Sequence, residues 1–306
     1  CPMLKEQIQA PLRTLASWYD DLGVPPTIES TGGVEARVPR GNGAMQYLSG
    51  GVDSLATLRA NRLWFPADHP LSVRACVIVD WLRWDPDEPS EFRSDPDAGK
   101  VDTARRICEA ADADLILLRS NLWNTHTDGY FFTDKAFGAF YAGMAHLFSQ
   151  RYSTSYTAAS MDASAPFPVG SHPLLDPYYE SSSMRIEHHG TYLNRFERTA
   201  LIAGWQTALD NMNVCQNDSR REGNCGTCEK CIRTKTALVA LGKLADAGAF
   251  HEDDVDADLL ETVIEYRMVT SVWIANYWKD MVEPLKQVGR DDLVTVVERI
   301  ADDYQQ

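Results

Sequence analysis

A short apolar run, Ala44 to Leu48, stops at Ser49-Gly50-Gly51-Val52-Asp53-Ser54, and a helix-like stretch from Ser54 to Leu63 follows, ending before Pro66. Joining a strand to a helix in so few residues needs a backbone free of Cβ crowding, which the paired glycines supply. The turn therefore commits this region to a strand–turn–helix unit. Successive N–H groups in such a turn form an anion-binding nest. The helix behind it adds the partial positive charge of its N-terminus, and the hydroxyls of Ser49 and Ser54 add donors. Asp53 fits an anion site only by facing a phosphate-bound magnesium or by capping the helix. The plainer alternative is a Ser/Asp-capped helix after a tight turn. Neither G-x-x-x-x-G-K-[ST] nor G-x-G-x-x-G occurs in the chain, so the commoner phosphate loops offer no competing site.

The rest of the chain alternates in period. Residues 3 to 22 read as one amphipathic helix, with Leu4, Ile8, Leu12, Leu15 and Trp18 on one face. A stretch rich in Pro, Gly and Thr, Gly23 to Gly43, has room for one or two short strands. Val73 to Val79 reads as a buried strand, followed by an acidic loop, Asp85 to Asp97. A helix is expected over Ala98 to Ala111, a strand over Leu115 to Leu118 and a helix over Thr133 to Arg151. Further strands are expected at Tyr152 to Ala158 and Met184 to Glu187, then a helix from Asn194 to Asp210. Strands alternating with helices predict an α/β fold with a parallel sheet, whose ligands bind at the carboxyl ends of the strands. Beyond residue 232 the pattern is helical. Trp273, Ile274, Tyr277 and Trp278 form an apolar face suited equally to a core or to a homodimer interface. The expected division is an extension over 1–43, a nucleotide-binding domain over 44–240 and a helical region over 241–306.

Four of the seven cysteines crowd into Cys215-x9-Cys225-x2-Cys228-x2-Cys231. Four soft ligands in C-x2-C steps suit tetrahedral, structural Zn2+. An odd, clustered set is unlike a secreted disulfide framework and points to a reducing cytoplasm. An iron–sulfur run would place cysteine at position 235, where Lys235 stands; a catalytic sulfur carrier is the other alternative. No apolar run nears the roughly 18 residues that span a bilayer, and no leader-like segment opens the chain, so neither membrane nor export is expected. The net charge of −15 argues against broad nucleic-acid binding. A local basic patch remains available from Arg195, Arg198, Lys230, Arg233 and Lys235. Lys230 and Lys235 are the favoured catalytic cations, because zinc would fix their segment beside developing charge.

The sequence SGGVDS resembles the PP-loop of the N-type ATP pyrophosphatases, and its pairing with a late cysteine cluster resembles the 7-cyano-7-deazaguanine synthase family, including the Cys225-Gly226-x-Cys228 step. The likeness covers roughly residues 44 to 240. It implies an adenine nucleotide alpha-hydrolase-like (HUP/PP-loop) fold and the cofactors ATP, Mg2+ and Zn2+. Ser49, Gly50, Gly51, Val52, Asp53 and Ser54 would grip pyrophosphate, with Asp80 at a nucleotide contact and Asp53, Lys230 and Lys235 in catalysis. A substrate oxygen would attack the α-phosphorus, and ammonia or an amine would displace AMP from the adenylate. The family's Asp-Tyr-Gly-Gln-Arg type segment is replaced by Asp80-Trp81-Leu82-Arg83-Trp84, so the substrate is left as a small-molecule carboxylate or a protein or peptide. The alternatives are a sulfur-inserting enzyme and a non-catalytic ATP-binding module.

Three further features invite a role. Trp81 suits base stacking or the core. Gly170 to Pro177 carries His172 and Asp176, and suits a loop over the site or a Pro-fixed surface turn. His188 and His189 suit proton transfer near neutral pH.

Overall fold

The computed structural model describes residues 1–29, 32, 41–81, 83–84, 92–93, 98–125, 129–216 and 223–303. Its strands are β1 (Ala44–Tyr47), β2 (Val73–Trp81), β3 (Arg83–Trp84), β4 (Phe92–Arg93), β5 (Asp114–Ser120), β6 (Thr154–Ala158) and β7 (Arg185–His189). β3 and β4 pair antiparallel with each other. The other five make one all-parallel sheet in the order β5-β2-β1-β6-β7. The nine residues of β2 are buried except for the half-buried Arg74, as expected of a parallel strand covered on both faces. From β1 the chain winds outward through β2 to β5, then crosses back to β6 on the other side of β1. That reversal opens a crevice between the carboxyl ends of β1 and β6, and the glycine-rich turn leaves β1 at this point.

Side chains alternate across the sheet into two cores. Ala44, Cys76, Ile78 and Tyr156 face α3 (Val52–Trp64), α4 (Ala98–Ala110), α6 (Arg195–Ala203), α7 (Gln206–Asn211) and α8 (Glu229–Ala240). Met45, Tyr47, Val77, Val79 and Ile186 face α2 (Gln9–Trp18) and α5 (Phe137–His146). The carboxy-terminal helices α9 (Ala257–Glu265), α10 (Val272–Lys279), α11 (Val282–Gln287) and α12 (Asp291–Asp303) continue the first core without a break. Ile274 and Trp278 are buried in it, Trp273 packs against it, and Tyr277 is buried beside it, so the aromatic face of α10 serves the interior. The first helical segment likewise joins the second core through Leu15.

Some boundaries differ from expectation. The helix over residues 3 to 22 is three pieces: α1 (Pro2–Gln7), α2 and a 3-10 turn, Asp20–Leu22. Pro11 has no N–H to bond the preceding turn, so the helix restarts at Gln9 and places the proline in its first turn. The segment from Thr133 begins as a π-helix, Phe131–Ala136, before α5. There the Gly138 N–H bonds the carbonyl of Gly170 at 2.8 Å rather than its own helix. The helix expected over Asn194 to Asp210 divides at Gly204, a poor helix former. The described part of Gly23 to Gly43 contains no strand, and the rest lies outside the described residues, as does most of Asp85 to Asp97. Among the described residues no helix is long and apolar enough to cross a membrane.

Candidate active site

Gly50 adopts φ +78°, the left-handed region that an L side chain resists. The turn is braced on every side. Leu48 N–H makes a last bond to the Val77 carbonyl at 2.9 Å, and Asn213 N–H donates to the Gly50 carbonyl at 2.8 Å. Gly51 N–H donates to Ser49 Oγ at 3.2 Å, Ser54 Oγ donates to the Gly51 carbonyl at 3.0 Å, and the two serine hydroxyls lie 3.2 Å apart. No side chain caps α3. The first N–H groups of the helix therefore lack intrahelical partners, the usual condition of an anion-binding helix end.

Asp53 does not cap the helix. Its Oδ2 lies 2.6 Å from Arg195 Nη1 and its Oδ1 3.1 Å from Arg198 Nη1. Arg198, itself buried, also donates to the carbonyls of Ser160 at 2.7 Å, Met161 at 2.9 Å and Gly190 at 3.1 Å. It thereby ties α6 to the loops after β6 and β7. Arg233 is buried with Nη1 lacking a hydrogen-bond partner. Its Nε lies 3.4 Å from Glu229, and its guanidinium sits 4.5 Å over the Tyr277 ring. Arg195 approaches the same ring at 5.8 Å. Tyr277 donates its hydroxyl to the Ser160 carbonyl, and Trp278 Nε1 donates to Glu229 at 3.0 Å. Burial, then the charge of Asp53, pushes the Tyr277 phenol up to about 12. Lys230 keeps an exposed surface, yet shielding by nearby protein, then the Arg195 and Arg233 cations, lowers its ammonium pKa. Four cations (Arg195, Arg198, Lys230, Arg233) thus face two carboxylates (Asp53, Glu229). The local excess is positive within a chain of net charge −15.

The turn opens onto a cleft of about 300 Å³. Its lining combines polar residues, Ser49, Asp53, Ser54, Lys100 and Ser160, with apolar and aromatic ones, Val79, Trp81, Phe137 and Tyr141. Trp81 is held edge-on by Phe132 at 5.0 Å and Tyr141 at 6.0 Å, so it is both core and cleft wall. The fold brings Ser49, Gly50, Asp53 and Ser54 to the cleft, with Gly51 inside the turn and Val52 buried beneath it. Asp80 is elsewhere: it points from the other face of β2, where its carboxylate pairs with Arg119 Nε at 2.9 Å. Lys235 is also apart from the cleft, buried with Nζ 3.1 Å from Glu252 Oε1. Lys230 stands beside the Asp53 cluster rather than in the cleft wall. Asn213, Thr157, Ser160 and Tyr277 carry no sequence signature; only the folded chain brings them together.

Cys215, Cys225, Cys228 and Cys231 converge with their sulfurs within 4.8 Å of one another, a set that could bind a metal such as zinc. Two pairs, Cys225–Cys231 and Cys215–Cys228, are 3.9 Å apart. A zinc–sulfur bond of about 2.3 Å sets tetrahedral edges of about 3.8 Å, so the donor set fits. Cys228 N–H donates to Cys225 Sγ at 3.3 Å. A hydrogen bond from Cys231 lowers the Cys228 thiol to about 4. Asn224 fastens the segment, accepting from Val214 N–H at 2.9 Å and Cys215 N–H at 3.2 Å, and donating to the Met212 and Ala249 carbonyls at 3.0 Å each. Cys228 is the residue from which α8 starts, so the cluster positions Glu229, Lys230 and Arg233.

The loop Gly170 to Pro177 is not a surface turn. Asp176 is buried and accepts from Ser171 Oγ at 2.7 Å, His172 N–H at 3.3 Å and His188 Nδ1 at 2.8 Å. His172 packs edge-on to Trp18 at 4.9 Å. His189 faces the opposite side of β7, 3.3 Å from Thr57 Oγ1 and among the rings of Trp64, Tyr156 and Tyr192. Burial, then the Arg198 cation, lowers its pKa to about 4. No protein-family model matches the sequence, and no curated protein matches it.

Proposed function

We propose that this chain is an ATP-consuming, AMP-forming ligase of the PP-loop type, with the HUP-like fold that the resemblance implies. The observation that carries the reading is the uncapped start of α3 behind the Gly50 turn, opening on the cleft at the strand-order reversal beside a local excess of cations. ATP lays its base against Trp81 and Tyr141 and its phosphates against the turn. The N–H groups of α3 take the β- and γ-phosphates. Arg195, Arg233 and Lys230 hold the charge that accumulates on pyrophosphate as the α-phosphorus is attacked. Asp53 is the carboxylate of the turn available to phosphate-bound magnesium. Lys235 holds the cysteine segment through Glu252 rather than touching phosphate. The four cysteines hold zinc in a structural role, since all four positions of a tetrahedron are filled by protein.

The substrate is a small-molecule carboxylate, with a peptide carboxylate as the other source of the same group. Its oxygen attacks the α-phosphorus to give an acyl adenylate, and ammonia or an amine then displaces AMP. ATP–pyrophosphate exchange with magnesium tests the reading, scanned over carboxylates that include 7-carboxy-7-deazaguanine. Carboxylate-dependent exchange is expected. Tight ATP binding with no exchange for any carboxylate would favour a nucleotide-binding module instead, and label transfer from sulfur would favour thiolation.

A further inference from the structure

We infer that Asp176 and His188 form a carboxylate–imidazole dyad that takes the proton from the attacking nitrogen, a role that rests on the ligase reading above. Asp176 opens a 3-10 turn, Asp176–Tyr179, and its side chain is 1% exposed. Three donors converge on it, and one is the imidazole Nδ1 of His188 at 2.8 Å. Donating from Nδ1 leaves the lone pair of the neutral ring on Nε2. That nitrogen has no hydrogen-bond partner among the described residues.

Residues beside the dyad line the cleft on two sides. His188 lies opposite Thr157 in the parallel register of β7 and β6. Paired residues share a face of the sheet, on strands about 4.8 Å apart, and Thr157 lines the cleft. On the α5 side, Gly138 approaches Asp176 so closely that a Cβ there would overlap Asp176 Oδ1 and the Gly170 carbonyl. Its neighbour Phe137 lines the cleft too. The titratable groups facing His188 are Asp176 and His172 from the 170–177 loop, while His189, next on its own strand, is turned to the other side of the sheet. The residues beside it from β6 and α5, Thr157 and Gly138, are uncharged. A loop clamp alone would use Ser171 and the His172 N–H and has no use for the free Nε2.

The step balances simply. The amine nitrogen attacks the acyl carbon of the adenylate and a C–N bond forms. The C–O bond to the AMP phosphate breaks, and its electron pair leaves with AMP. The proton shed by the nitrogen passes to His188 Nε2 and then to water.

His188→Asn retains a donor for Asp176 while removing Nε2. The variant is compared with the native chain in three reactions: ATP–pyrophosphate exchange, product formation with ammonium, and hydroxamate formation with hydroxylamine, which attacks without a base. Melting temperature and zinc content establish that it folds. The dyad requires exchange and hydroxamate formation near native rates, with ammonium-dependent product down about 100-fold, the usual scale of a lost general base. Asp176→Asn, which removes the carboxylate orienting the ring, should reproduce the pattern. Unchanged ammonium rates would overturn the dyad, and so would equal loss in all three reactions, since that is the mark of a structural clamp. A native chain without exchange for any carboxylate removes the ligase reading and the dyad together, an outcome distinct from both.

Discussion

Asn213 donates its backbone N–H to the carbonyl of Gly50 at 2.8 Å, and two residues later the same segment delivers Cys215 to the cysteine cluster. The cluster in turn starts α8, which carries Arg233 and Lys230 back beside Asp53. The phosphate-type turn and the metal-type cluster are therefore two ends of one brace, although 160 residues lie between Ser54 and Cys215 and few sequence features join them. Metal binding in such an arrangement acts on the site through position rather than chemistry.

Removing metal should consequently weaken both stability and ATP binding. One zinc per chain is expected by elemental analysis. Treatment with a strong chelator should lower the melting temperature and raise the Kd for ATP, with both restored by added zinc. Native melting and affinity in fully demetallated protein would break the proposed link between cluster and turn.

Gly50→Ala tests the turn itself. A left-handed conformation costs an L residue roughly 1–2 kcal/mol, and the new Cβ would stand 3.4 Å from that of Asn213. The variant should lose about that much stability in urea unfolding, and ATP affinity should fall more steeply than stability as the N–H nest reorients. A variant with native affinity would show that the nest does not hold phosphate.

Asp53→Ala carries a cost that the motif alone hides. Read as a sequence, the change removes activity and spares the fold. In the structure Asp53 answers Arg195 and the 2%-exposed guanidinium of Arg198, so its loss leaves like charges facing one another. Breaking a buried pair costs about 3–5 kcal/mol; with Asp53 itself 22% exposed, about 2–3 kcal/mol is expected. Unchanged unfolding free energy would mean that these ion pairs contribute nothing net. A double-mutant cycle with Arg195→Ala separates pairing from any effect on turnover.

The legible parts of this chain were those governed by local rules. The alternation around β1, β2 and β6 gave the parallel α/β sheet. The Gly50-Gly51 pair gave the turn, and the cysteine spacing gave the four-sulfur cluster. What periodicity could not reach was partner choice. Arg195 and Arg198 look like solvated helix charges until Asp53 is seen between them, and Lys235 looks catalytic until Glu252 is seen beside it. Asp80 is next to last in β2 rather than at its end, and strand alternation turns it to the face opposite Trp81. The split of the first helix at Pro11 was readable in principle from the missing N–H. The π-helical start before α5 was not, because it answers to Gly170, more than thirty residues later.

His189 supplies a stability test that needs no substrate. Its folded pKa is lowered to about 4, chiefly by burial, against 6.5 for the free side chain. Between those values the unfolded chain binds the proton and the folded chain does not. The neutral histidine's stabilisation is therefore complete above about pH 6.5, declines as pH falls and levels off below about 4. Between pH 7 and pH 5 the loss should be roughly 2 kcal/mol. Asp280 works in the opposite direction. Burial, then the charges of Asp162 and Glu197, raises its folded pKa to about 6, so it favours the fold as pH drops. The two must be separated by difference. Urea unfolding at pH 7 and pH 5 of the native chain and of His189→Gln should show the native chain losing about 2 kcal/mol more than the variant across that interval. Parallel pH dependence in the two proteins would mean that His189 protonates in place, its ring reaching water past the exposed edges of Trp64 and Tyr192.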